Sequence, residues 1–299
     1  MVKYKIAGHT MGTPEYTVIE AIQLFHNIGL DGAEIVVQDN YKCGIPTECS
    51  EEKLQEVRRK AEEMGIKIIA LTPYNSYFNS LDEEVRHKEL EGIRKVIGYA
   101  KYLGAKYIRI YAGNYAATDT DSDGRKKEKL IESMKELGED AKAAGVTLVM
   151  ENHFNTMTVS ARQSMDVAEA VNHPNVGILY DQANLTFTLQ EDYEEAIAIQ
   201  MDRVKYVHVK DLDFKSENHE FISDEVSHPK EEDRNVVTRI VGQGCIKWPK
   251  ILQNMHDKGY DGWLSLEYER RWHPDDIPDA RVGMKESADY LKKCFEKLV

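Results

Sequence analysis

Glu151, Asp181, His208 and Glu267 each end an apolar, β-branched run, in LVMEN, GILYDQAN, VKYVHVKD and WLSLEYE. Three carboxylates and an imidazole are costly to bring together. In a partly desolvated pocket the carboxylates repel, and at least one takes up a proton. A divalent cation removes the conflict. Oxygen donors with one nitrogen make a hard site that suits Mn2+ first, and Mg2+, Co2+ or Zn2+ as well. Each residue alone has a blander reading. Asp181 reads as a cap for a following helix, and His208 as a hydrogen-bonded core histidine. Glu269 reads equally as a structural ion-pair partner, because Glu267 is better placed on the same strand face. The joint occurrence on four successive strands is what favours a metal site.

Strand alternation extends the set. Residues two apart share a face. His153 therefore looks the same way as Glu151, with Asn152 opposite, and Lys210 the same way as His208. Both are candidates to face a substrate. Arg109 and Glu34 point inward from earlier strands and read as a buried polar network under the site.

The elements that must position these residues show as a repeat. A helical segment ends near Gly and an apolar run follows at once, in NIGLDGAEIVV, EMGIKIIAL, YLGAKYIRI, AAGVTLVM, NHPNVGILY, MDRVKYVHV and KGYDGWLSL. With the opening KYKIAG there are eight predicted strands, each followed by helical periodicity. Ser50, Asp82 and Ser160 stand at helix starts, and Ser160 with Gln163 forms a capping box. Gly29, Gly65, Gly104 and Gly145 stand where helices should end. Eight βα units predict one (β/α)8 TIM barrel spanning residues 1–299, with chemistry at the C-terminal ends of its strands. The rival, an open doubly wound sheet, ordinarily shows a Gly-rich phosphate loop, and no GxGxxG is present. The longest departure from the repeat is polar, at about residues 212–244. It is expected to be a βα loop acting as a lid or substrate loop.

The formal net charge of -13 opposes nucleic acid as a partner. No apolar run approaches a membrane span. The opening residues lack the apolar core of a signal peptide, from which a cytoplasmic location is expected. Cys43, Cys49, Cys245 and Cys294 show neither CxxC nor zinc-finger spacing and read as free thiols. A homo-oligomer is left open.

LVMEN, ILYDQAN, VHVKD and WLSLEYE, with VGQGCIKW, resemble motifs of the xylose-isomerase-like TIM-barrel superfamily of sugar isomerases and epimerases. That group includes ketose 3-epimerases, hydroxypyruvate isomerase, inosose dehydratase and the AP-endonuclease class. The resemblance spans nearly the whole chain. It implies a small sugar or polyol substrate held on a divalent metal by Glu151, Asp181, His208 and Glu267. It also implies that Glu151 and Glu267 move a proton. Polarising the carbonyl stabilises the enediolate left when the α-proton departs. Returning the proton on the other face gives epimerisation, and returning it to the neighbouring carbon gives isomerisation. Loss of a β-hydroxyl, helped by a general acid such as His153 or Lys210, gives dehydration or lyase chemistry. A non-catalytic or partner-dependent carbohydrate-binding barrel is the alternative of another class.

The chain departs from the ketose 3-epimerases at Asn184, where they carry a His three places after the strand-six Asp. HVKD looks more like the dehydratase and uncharacterised isomerase branches. The AP-endonuclease branch needs further histidines and binds DNA, which the net charge opposes. Among the remaining aromatics and histidines, His9 reads as a loop hydrogen-bonder or a pocket residue. Tyr74, Tyr77 and Phe78 read as a sugar-stacking platform or a packing cluster. His219 and His228 read as solvated.

Overall fold

A computed structural model describes residues 4–116, 118–216 and 234–298. The strands are β1 (Lys5–His9), β2 (Gly32–Val37), β3 (Lys67–Pro73), β4 (Tyr107–Tyr111), β5 (Thr147–Glu151), β6 (Val176–Asp181), β7 (Val204–Val209), β8 (Asp211–Phe214), β9 (Val236–Arg239) and β10 (Trp263–Leu266). The helices are α1 (Val18–Asn27), α2 (Glu51–Met64), α3 (Glu83–Leu103), α4 (Arg125–Ala144), α5 (Ala161–Val171), α6 (Gln182–Phe187), α7 (Tyr193–Gln200), α8 (Trp248–Asp257) and α9 (Ala280–Phe295). Eight of the strands, all but β8 and β9, close into a parallel barrel in the order β1-β10-β7-β6-β5-β4-β3-β2. This is the (β/α)8 barrel that the repeat predicts.

Local chemistry explains the helix bounds. Ser50 accepts from the Lys53 N–H, Asp82 from Glu84 and Val85, and Ser160 and Gln163 close a capping box. Gly65 and Gly145 end α2 and α4 at φ 65° and 72°, a left-handed turn that a β-carbon would disfavour. Each helix lays an apolar stripe on the outside of the barrel, so most of the core lies between helices and sheet.

The barrel interior is layered. Ala7, Ile69, Val149, Leu179 and Tyr206 pack as a separate apolar cluster. Two residues further along four of these strands stand His9, Glu151, Asp181 and His208, all fully buried. The period of two thus turns an apolar floor into a polar ring at the C-terminal end. Register shifts lie just before Glu34 in β2 and between Ile178 and Leu179 in β6, beside this ring.

One element differs from expectation. The stretch at about 212–244 is not all irregular: β8 and β9 form an antiparallel ribbon pairing Asp211 with Arg239 and Phe214 with Val236. Its tip, with His219 and His228, lies outside the described residues. Among the described residues no helix is long and apolar enough to cross a membrane.

Candidate metal centre

Glu151, Asp181, His208 and Glu267 converge. One donor atom from each lies within 4.8 Å of all the others, and all four residues are buried. His208 Nδ1 is 3.2 Å from Glu151 Oε1, 3.2 Å from Glu267 Oε2 and 3.9 Å from Asp181 Oδ2. The other ring nitrogen, Nε2, faces Glu34 at 3.1 Å. Glu34 also accepts from Thr72 Oγ1 at 2.7 Å and Tyr206 OH at 2.8 Å. A carboxylate so placed fixes the imidazole with Nε2–H outward and Nδ1 toward the cage, the usual support of a metal-binding histidine.

Asp181 caps the following helix and also faces the centre. Oδ1 accepts the Asn184 N–H at 2.8 Å and caps α6, while Oδ2 faces the centre. Asn184 in turn reaches Glu151 Oε1 at 3.2 Å and the Asn152 carbonyl at 2.9 Å. Asn152, on the opposite face of the strand, ties β5 to β6 by donating to the Asp181 carbonyl and accepting its N–H. Arg109 Nε stands 3.1 Å from Glu151 Oε2, and the guanidinium lies 4.1 Å from the Tyr111 ring centroid. Arg109 and Glu34 therefore form the supporting network expected of them. Lys210 Nζ lies 3.1 Å from Asp181 Oδ2, 2.8 Å from Glu267 Oε2 and 3.3 Å from Glu269 Oε1.

The electrostatics are strained without a cation. Burial lifts Asp181 to about 7, with Lys210 opposing and the Glu267 and Glu151 charges adding. Burial would lift Glu151 too, but the Arg109 guanidinium reverses this and holds it at about 2. Glu267 lies well below the usual range despite burial, because His208 and Lys210 surround it. Burial opposes a proton on His208, yet Glu267 and Glu34 lift that imidazole well above its ordinary value. Glu151 Oε2, Asp181 Oδ2 and Glu267 Oε2 are buried and face only the cationic groups of Arg109 and Lys210. Three buried carboxylates around one imidazole nitrogen fit a hard divalent ion.

His153 and Lys210 share the pocket above the cage, of about 250 Å³, with Tyr74, Phe187, Arg234 and Trp272. His153 packs between the tilted rings of Tyr111 and Phe154, at centroid distances of 4.7 and 4.1 Å. Its Nδ1–H donates to the Phe154 carbonyl at 2.9 Å, and burial lowers its pKa to about 4. That leaves a neutral ring whose remaining nitrogen is a hydrogen-bond acceptor. Of the expected platform, Tyr74 lines the pocket, Phe78 is buried packing, and Tyr77 is exposed. His9 is buried beside Glu34, with Nε2 at 3.6 Å. Phe187, Arg234 and Trp272 were not anticipated. They come from α6 and from βα loops, where no period marks which side chain turns inward. A larger cavity, about 480 Å³, lies across Phe154 and contains none of the four converging residues.

The family model for the xylose isomerase-like TIM barrel matches residues 22–294. The chain belongs to the xylose isomerase-like TIM barrel family. An inosose dehydratase of Clostridium perfringens is 27% identical over 161 residues, 54% of this chain and 52% of that one. The chain thus spans about half the length of the curated relatives it matches. Among solved structures, L-ribulose 3-epimerase superposes with a TM-score of 0.77 at 17% identity, over 99% of this chain and 95% of that one. A probable 3-DHS dehydratase from Bacillus anthracis superposes at 0.73 and 17%, over 96% and 98%. At such identities these structures show the fold alone. The relatives found by sequence are enzymes, inosose dehydratases, and an epimerase and a probable dehydratase share the barrel fold.

Proposed function

We propose that this protein is a divalent-metal-dependent isomerase or epimerase of a keto-sugar or related polyol, working through an enediolate. The observation that carries the reading is the pair Glu151 and Glu267, from β5 and the end of β10 at the two ends of a four-strand arc, each 3.2 Å from His208 Nδ1. Glu151, Asp181, His208 and Glu267 would hold the ion, Mn2+ first and Mg2+, Co2+ or Zn2+ otherwise. When bound, the metal supplies polarisation of the substrate carbonyl and charge for the developing oxyanion.

The chain's own residues do the rest. Glu151 and Glu267 serve as the two proton carriers, one removing the α-proton and the other returning it. Arg109 keeps Glu151 ionised and ready to accept a proton. His153, held neutral by its buried setting, accepts from a substrate hydroxyl. Tyr74 and Trp272 supply ring surface for a sugar face.

A second reading, a dehydratase or lyase, is favoured by Lys210. Its ammonium stands 2.8 Å from Glu267 and could protonate a departing β-hydroxyl. The inosose dehydratase relatives point the same way.

Two measurements decide. Glu151→Gln and Glu267→Gln are each expected to abolish turnover, by at least about 10³-fold, with the circular dichroism spectrum unchanged. Incubating candidate ketoses and keto-inositols with enzyme and Mn2+ in D2O should place deuterium on the carbon next to the carbonyl. A product of unchanged mass apart from deuterium identifies an isomerase or epimerase, and one lighter by a water identifies the dehydratase. Sugar binding with no exchange would leave only a carbohydrate-binding barrel.

A further inference from the structure

Lys210 does not simply border the cage. Its ammonium lies 3.1 Å from Asp181 Oδ2 and 2.8 Å from Glu267 Oε2, two of the carboxylate oxygens that face the centre. An ion bound at about 2.0–2.6 Å from those oxygens would sit within a few ångströms of the ammonium. Two positive charges a few ångströms apart in a dry pocket also repel strongly. The ammonium and the ion therefore compete.

A third carboxylate offers the lysine another place. Glu269 Oε1 is already 3.3 Å from Nζ, and its Oε2 accepts from Thr238 Oγ1 of β9 at 3.4 Å. The Glu269 side chain is 25% exposed, against 5% for Glu267 and 0% for Asp181, so it lies toward the pocket mouth. A lysine has a flexible four-carbon stem and a point charge, and moves between such partners without losing hydrogen bonds.

On the reading that the cage binds metal, we infer that Lys210 is an internal counter-ion for the empty cage. It yields Asp181 and Glu267 to the ion and passes to Glu269, which turns its ammonium toward the substrate. Glu269 is then a positioning residue for Lys210, and β9 anchors it.

The test is a double-mutant cycle on Mn2+ affinity, measured by chelator competition on the full chain. Lys210→Met removes the competing cation and should tighten Mn2+ binding about tenfold or more. Glu269→Gln removes the alternative partner and should weaken it roughly three- to tenfold, but change it less than about twofold in the Lys210→Met background. Equal effects of Glu269→Gln in both backgrounds, or weaker binding by Lys210→Met, would overturn the proposal. If Lys210→Met does not fold, a crystal structure of the unaltered protein with Mn2+ decides. Nζ must have left Asp181 and Glu267 for Glu269, and an ammonium still within hydrogen-bond distance of both refutes the role. Failure of the unaltered protein to bind Mn2+ at all would sink the metal reading itself, whereas binding with additive effects sinks only the role of Lys210.

Discussion

At the scale of single residues, Asp181 shows how the cage is poised. In the folded, metal-free protein its carboxyl is raised to about 7 from 3.8, first by burial. A raised carboxyl pKa means that the folded state binds more protons than the unfolded chain between those two values. Stability must then fall as pH rises through that window, by about 1.4 kcal/mol per pH unit from this group. His208 has the same sign at higher pH. Its folded pKa lies above the ordinary 6.5, so its contribution is complete below 6.5 and is lost as pH rises through the folded value. Between about pH 4 and 6.5 His208 adds no slope, but His153, lowered by burial to about 4, adds one of opposite sign, so the contribution of Asp181 is read as the difference from Asp181→Asn. Urea midpoints of EDTA-treated protein across that range are expected to decline relative to Asp181→Asn, whose side chain cannot ionise. Saturating Mn2+ should remove the difference in slope, because it stabilises the ionised form. Parallel curves for the two proteins in EDTA would show that Asp181 ionises freely and that the cage is not strained.

At the scale of elements, the strands could be read from the chain and the ribbon could not. Every barrel strand after the first is an apolar run set off by a helix end, so the pattern announces itself seven times. The buried polar ring was equally readable, because period two carries Val149 to Glu151, Leu179 to Asp181 and Tyr206 to His208. β8 and β9 are polar and short, and their pairing is long-range, so composition suggested a loop. What holds the ribbon is Asp211, the last residue of HVKD. Its Oδ1 accepts from the N–H groups of Leu212 and Ile246 at 2.9 and 3.1 Å, and its Oδ2 from Gly242 and Gly244 at 2.8 and 3.2 Å. This gives the Gly-x-Gly segment its reason. Gly242 has φ 91°, and a β-carbon on Gly244 would lie within 2.3 Å (closer than any real contact) of Asp211 Oδ1. Asp211→Ala strands four backbone donors and should cost on the order of 3 kcal/mol. Gly244→Ala should cost nearly as much by displacing the same carboxylate. Chemical denaturation of the double variant should then give far less than the sum, since both changes break one clamp. Additive losses would mean that Asp211 and the glycines act separately.

At the scale of the whole molecule, the cage ties the barrel together. Its four residues come from β5, β6, β7 and the end of β10, and Glu34 reaches His208 from β2. A ligand held by so many strands binds the folded chain and not the unfolded one. Binding therefore adds stability as the logarithm of ligand over dissociation constant, about 2.7 kcal/mol at a hundredfold excess. For a chain of this size each kcal/mol moves the melting temperature by roughly 2 °C, so Mn2+ should raise it by roughly 5 °C and EDTA should reverse the change. The rise should continue with each further tenfold of Mn2+, as mass action requires, rather than level off. Glu151→Gln keeps the shape of the site but removes one ligand charge, and its melting temperature should be nearly indifferent to Mn2+. An adventitious surface ion would produce the opposite pattern, a small rise shared equally by the variant and the unaltered protein. Scanning calorimetry of both proteins across a Mn2+ series separates the two, because only an ion seated among these strands makes the response of the entire barrel depend on a single carboxylate.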